Sequence, residues 1–198
     1  MKRLFDIVFS SAILIIFSPF FLIIVLCIVL YDRGPVFYRA LRVGRYGREF
    51  RMYKFRTMVV NADKIGASST TLSDSRITGI GRFLRKTKLD EIPQFLNVFI
   101  GNMSVVGPRP DVKTFTDLFT EEEKAILSVK PGITDWASVW NSDEGKILEG
   151  SEDPDATYKQ LIWPGKKRLQ LKYVKEQSFW VDIKIIFLTF KAVIKKSN

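Results

Sequence analysis

IVFSSAILIIFSPFFLIIVLCIVLY, running from Ile7 to Tyr31, contains no charged side chain and decides the architecture of the chain. About 20 apolar helical residues cross a bilayer, so a run of this length reads as a membrane segment. A cleaved secretory signal is the weaker reading. Lys2 and Arg3 would supply its basic start, but Asp6 interrupts the approach and no A-x-A-like cleavage site follows. Ser18-Pro19 sits at the midpoint of the run. Proline removes a backbone donor and clashes with the preceding turn, so a kink or break is expected there. Each half then gives about 18 Å of helix, against about 30 Å of hydrocarbon.

Both flanks are basic. Lys2 and Arg3 precede the run, and Arg33, Arg39, Arg42, Arg45 and Arg48 follow it. Positive residues favour the cytoplasmic side, and a straight span would place one flank outside. A helix–break–helix that enters and leaves by one face keeps both inside. Residues 1–32 are therefore expected to form a re-entrant membrane helix broken at Ser18 and Pro19, and residues 33–198 a cytoplasmic, membrane-associated domain. The competing reading is a single span with a tolerated proline.

Composition narrows the remainder. The chain has 198 residues, enough for one compact domain, and 46% hydrophobic with 13% aromatic content excludes a disordered chain. Charged residues at 26% exclude a polytopic membrane protein. There is no His, and the one Cys, Cys27, lies inside the apolar run. That rules out an internal disulfide, a His-dependent triad and a Cys/His zinc site. A nucleophile or base must come from Asp, Glu, Ser, Thr, Lys or Tyr. A metal would be held by oxygen ligands, which favours Mg²⁺ or Mn²⁺. A net charge of +10 suits a polyanionic partner: nucleic acid, an anionic leaflet or a diphosphate.

Beyond the run, Gly34-Pro35 is a turn and Val36–Met58 reads as short strands joined by a turn. Asn61–Thr78 is polar, with Thr70–Ser75 expected as a mobile surface loop. Leu89–Ile100 has helical spacing, and Glu121–Val129 reads as a helix with Thr120 and Glu123 as a capping box. Leu161–Glu176 is a basic helix. Phe179–Lys196 reads as an amphipathic helix, either lying in the headgroup region or packed on the domain's own core. The fold class is mixed α/β, mostly helical, without repeats or a second domain.

Asp90-Glu91 opens the Leu89–Ile100 helix, with Thr87 and Pro93 as further first-turn residues. Carboxylates there are commonly structural, because they complement the helix dipole. The neighbourhood argues for more. Arg82, Arg85, Lys86 and Lys88 precede the pair, Arg109 follows between two prolines, and Lys54 and Arg56 lie in KFRTM. Cations and free helix N–H groups beside two carboxylates suit a diphosphate. For any single basic residue, a solvated face or lipid contact serves equally well.

At these residues the chain resembles the small monotopic phosphoglycosyl transferases, or bacterial sugar transferases. The strings that carry the likeness are KRLFDIVFSS, the SP within the apolar run, RGPVFYRALRVGRYGREFRMYKFRTM, RITGIGRFLRKTKLDEIPQFLNVFIGNMSVVGPRP, VKPGITDWASV and LKYVKEQSFWVDIKIIFLTF. The resemblance implies a re-entrant helix and a catalytic domain at the cytoplasmic face of the bacterial inner membrane. It implies that Asp90 attacks the β-phosphate of a UDP-sugar, expels UMP, and passes the sugar phosphate to polyprenyl (undecaprenyl) phosphate, in the first membrane step of surface-glycan synthesis. Mg²⁺ near Asp90, with Glu91 as a second candidate ligand and Mn²⁺ as a substitute, would screen the diphosphate. Glu91 would position the metal or acceptor, or act as a base. Lys54, Arg56, Arg85 and Arg109 are the expected phosphate contacts. The lipid bilayer is a partner and nucleic acid is not. Oligomeric state stays open, although the apolar helices allow a homo-oligomer. The competing class is a non-catalytic basic protein binding anionic lipid or nucleic acid. The chain departs from the family's GITGWAQV at Asp135 and Ser138, which leaves the sugar undetermined, and has Gln170 where an acid is frequent.

Overall fold

A computed structural model describes residues 1–65, 70–71, 73–141 and 144–197. Helix α1 spans Lys2–Asp32 and runs through Pro19. The helix continues through the expected Ser18-Pro19 break for a local reason. Pro19 cannot donate to the Ile15 carbonyl, and the Ser18 hydroxyl donates to that carbonyl instead, at 2.8 Å. In lipid, an orphaned carbonyl has no water to turn to, so the Ser-Pro pair is self-consistent.

Both ends of α1 are held by the domain and its middle is bare. Asp6 is buried and accepts from Ser104 Oγ at 3.0 Å and Val105 N at 2.9 Å. Arg3 donates to the Val98 and Phe99 carbonyls at 2.6 and 2.7 Å. Lys2 binds Asp182 and the Val106 carbonyl. Farther along, Ile24 and Ile28 pack with Phe55 and Leu84. Ile15, Ile16, Phe20 and Leu22, between these anchors, are exposed.

Strands β1 (Phe37–Val43) and β2 (Glu49–Phe55) form the expected hairpin, pairing Tyr38 with Lys54 and Arg42 with Phe50. The polar stretch after it includes a 3-10 turn at Ala62–Lys64; Leu72 of the expected Thr70–Ser75 loop lies outside the described residues. Helix α2 (Gly79–Lys86) is capped by Thr78, whose Oγ1 accepts from Gly81 N at 3.0 Å. Thr87 therefore closes α2 rather than opening the next helix, its hydroxyl donating to Phe83 O at 2.9 Å.

A 3-10 turn at Leu89–Glu91 leads into α3 (Gln94–Ile100). Strand β3 (Ser104–Val106) follows, then the short α4 (Lys113–Thr116). The stretch read as a helix over Glu121–Val129 is a 3-10 segment, Glu123–Ser128, though its capping box is present: Glu123 Oε2 accepts from Thr120 N at 2.9 Å, and Thr120 Oγ1 from Glu123 N at 3.3 Å. Gly132 then starts β4 (Gly132–Thr134), parallel to β3. No side chain fits where Gly107 and Gly132 cross, since a Cβ on either would strike the other's backbone or the one beside it.

Short helices α5 (Trp136–Trp140), α6 (Glu144–Ile147) and α7 (Pro154–Thr157) precede a π turn at Tyr158–Ile162 and α8 (Trp163–Glu176). The last helix, α9 (Phe179–Ser197), packs on the domain's own core through Ile185, while Trp180, Phe187 and Phe190 are exposed. That core gathers Ala40, Met52, Val98, Met103, Val105, Val106, Tyr173 and Ile185, so one apolar cluster fixes the hairpin, α3, β3 and the two last helices together.

Candidate active site

The site forms where the Leu89–Glu91 turn faces the hairpin and the loop after β3. Lys88 has φ 58°, a left-handed conformation unusual for a residue with a side chain. Such strain persists only where the surroundings enforce it, and it sets the turn on which Asp90 and Glu91 stand. Asn97 ties α3 to β2: its Oδ1 accepts from Tyr53 N at 2.9 Å and its Nδ2 donates to Arg51 O at 2.8 Å. Arg3, on the terminal carbonyls of α3, secures the other end of the same helix.

The adjacent carboxylates have opposite surroundings. Glu91 is saturated. Arg109 grips it with Nη1 on Oε2 at 3.0 Å and Nη2 on Oε1, and Lys54 Nζ donates to Oε1 at 3.0 Å. Burial alone would raise its pKa, but Arg109 and Lys54 outweigh burial and hold it well below the usual carboxylate range. Asp90 is 6% exposed, and its Oδ1 is buried without a hydrogen-bond partner. Burial raises its pKa; Lys54 opposes that, Glu91 adds to it, and Lys88 and Arg85 also oppose it. Asp90 is thus a carboxylate ringed by cations yet bonded to none through Oδ1.

Arg109 is fixed from several directions. Its backbone N donates to Asp135 Oδ2 at 3.2 Å, its Nη1 also reaches Ile133 O at 3.3 Å, and its carbonyl accepts from Gln170 Nε2 at 3.0 Å. Asp135, fully buried, caps α5 through Ser138 N and Oγ, both at 2.8 Å. Arg85 donates to Thr57 Oγ1 at 2.8 Å, and burial lowers its pKa while Asp90 counters.

Of the residues expected from sequence, Asp90, Glu91, Lys54, Arg85 and Arg109 come together. Arg56 is buried, with its guanidinium against Gly34. Sequence reading missed Gln94, four residues after Asp90 at the start of α3, fully buried with neither amide atom bonded. The spacing in DEIPQ was the available signal. It also missed Asp135 as the brace of Arg109, which no local pattern announces.

Among the described residues no group of three acids gathers to hold a metal. Asp90 fits a divalent cation in another way: Oδ1 is an unpartnered hard oxygen, and Mg²⁺ commonly takes one or two carboxylates and completes its shell with substrate phosphates and water. Glu91 would have to give up Lys54 and Arg109 to join it.

Comparison with known proteins matches residues 1–196 to the bacterial sugar transferase family. The chain is 39% identical over its whole length to UDP-glucose:undecaprenyl-phosphate glucose-1-phosphate transferase of Escherichia coli (strain K12), covering 41% of that protein. It is 36% identical over 98% of its length to UDP-N-acetylgalactosamine-undecaprenyl-phosphate N-acetylgalactosaminephosphotransferase of Aeromonas hydrophila, covering 43%. The chain thus spans about two fifths of the length of those two relatives. The uncharacterized sugar transferase EpsL of Bacillus subtilis (strain 168) is 36% identical over 98% of this chain, which covers 87% of it. With the family pattern running from just before α1 almost to the end of α9, this chain belongs to the bacterial sugar transferases.

Proposed function

We propose that the chain transfers a sugar 1-phosphate from a UDP-sugar to polyprenyl phosphate through a covalent phosphoglycosyl-aspartate on Asp90. The observation that carries this reading is the contrast between a saturated Glu91 and the neighbouring Asp90, whose Oδ1 is buried, unpartnered and surrounded by Lys54, Lys88 and Arg85. The names of the relatives agree with the chemistry, since they join UDP-sugars to undecaprenyl phosphate.

In the first half-reaction an Asp90 oxygen bonds to the β-phosphorus, and the bond from that phosphorus to the bridging oxygen breaks. The electron pair stays on that oxygen, which leaves with UMP. In the second, an acceptor phosphate oxygen bonds to the same phosphorus and Asp90 is released as carboxylate. No proton need move. Lys54, Arg85 and Arg109 bind the phosphates, and Glu91 holds Lys54 and Arg109 at their stations. Bound Mg²⁺, with Asp90 as its protein ligand, would supply positive charge for the diphosphate and departing UMP.

The same reading puts the domain on the cytoplasmic face of the bacterial inner membrane, with α1 re-entrant. Anchoring of both ends of α1 on one domain, with the exposed middle for lipid, supports that topology. The acceptor's phosphate would then reach Asp90 from the headgroup plane. The test is UMP release by the full chain in detergent or nanodiscs. With UDP-sugar alone the wild type should release about one equivalent of UMP as the aspartate is loaded, and steady turnover should need polyprenyl phosphate. Asp90→Asn should release none in either case. Undiminished release by that variant would remove Asp90 as nucleophile.

A further inference from the structure

One cation beside the site, Arg42, forms no ion pair among the described residues. Arg42 lies on the hairpin face that carries Tyr38 and, across the ladder, Lys54. Its described hydrogen bond is from Nη1 to the carbonyl of its own neighbour Leu41, at 2.8 Å. Among the described residues no carboxylate forms an ion pair with it. Burial lowers its pKa; Tyr38 and Asp111 oppose this, and Arg109 adds to it. The acids nearby are committed elsewhere. Asp111 Oδ1 accepts from Lys166 Nζ at 2.6 Å, Lys166 also holds the Tyr158 hydroxyl at 2.9 Å, and Glu91 is filled by Arg109 and Lys54. A partly buried guanidinium next to a second guanidinium is unfavourable until an anion joins them.

We propose that Arg42 is a phosphate-binding residue of the active site, taking the nucleoside-side phosphate of a nucleoside diphosphate donor. This deepens the transfer reaction proposed above and rests on it. Position selects that phosphate. The start of β1 adjoins the membrane helix, with Phe37 stacked on Phe55 and Phe55 against Phe21. Arg42 lies five residues beyond Phe37, about 17 Å at about 3.3 Å per residue, away from the side where a lipid phosphate arrives. The electron pair of the breaking bond goes to the oxygen that departs with UMP, and a planar guanidinium offers two donors to that phosphate.

The experiment is calorimetric titration of the full chain in nanodiscs with UDP, beside steady-state kinetics with a UDP-sugar and polyprenyl phosphate. Arg42→Ala should weaken UDP binding about 10-fold and raise the donor KM equally, with the acceptor KM unchanged. Arg42→Lys should fall between, which guards against misfolding of the alanine variant. Arg39→Ala, exposed on the hairpin's other face, should match wild type. Unchanged UDP affinity in both Arg42 variants, or a rise confined to the acceptor KM, overturns the proposal. UDP binding that depends on Arg42 in a wild type releasing no UMP would instead overturn the transfer reaction and leave the subsite standing.

Discussion

Arg109 and Glu91 form a two-armed ion pair, and Lys54 closes on the same carboxylate from β2. The pair joins three elements distant in sequence, and it separates the two neighbouring acids into one that is spoken for and one that is open. Fixed charge placed before the substrate arrives costs no reorganisation during reaction. Glu91→Gln should keep some hydrogen bonds and lose the charge that holds both cations. We expect kcat/KM to fall at least about 10-fold, about 1.4 kcal/mol in the barrier, with UMP formation as the readout.

In the proposed reaction Asp90 must be ionised to attack, and burial raises its pKa above the ordinary aspartate value while Lys54 pulls it down. The acid limb of kcat/KM should therefore lie above that value. Lys54→Met removes the largest opposing charge, so the limb should move to higher pH. For stability the sign is the same: a raised folded-state pKa favours the fold at low pH, and that contribution fades as pH climbs through the folded value. A pH–rate profile of both proteins checks the shift, and movement to lower pH would contradict it.

Gln94 is fully buried with both amide atoms unbonded. A buried unsatisfied polar group costs about 1–3 kcal/mol, so an apolar residue of similar size should be neutral or stabilising. Gln94→Met should hold or raise the melting temperature. If Gln94 supports Asp90, one turn away, the same variant should lose activity at least about 10-fold. Unchanged activity with a raised melting temperature would make Gln94 a packing residue alone.

Much of this was legible in sequence because its signals are local. The uncharged run from Ile7, the alternation that makes β1 and β2, the Thr120–Glu123 capping box and the Asp90-Glu91 dyad amid basic residues each sit within a short window. What escaped depends on contacts between distant residues. Arg56 shares KFRTM with Lys54, but β2 ends at Phe55, so strand alternation does not carry over to Arg56, whose guanidinium lies against Gly34. Lys2 and Arg3 read as a topogenic charge flank, and their bonds to Asp182 and the end of α3 could not be read beside it. Thr87 looked like a helix start, yet a positive φ at Lys88 ends one helix and begins the next turn.

Asp135 and Ser138 form one unit. Asp135 Oδ1 accepts from Ser138 N and Oγ, while Oδ2 accepts from Arg109 N. Asparagine at 135 cannot accept on both sides, so one bond is lost in a fully buried place. Asp135→Asn should destabilise the fold by about 1–3 kcal/mol and, by loosening Arg109, lower kcat/KM. Ser138→Ala removes one hydroxyl and leaves Arg109 held, so it should cost about 0.5–1.5 kcal/mol with activity near wild type. Because the two share one carboxylate, the double variant should cost less than the sum of the singles, by at least about 0.5 kcal/mol. Denaturant unfolding of the four proteins measures that coupling. Strict additivity would mean that Asp135 holds Arg109 independently of Ser138.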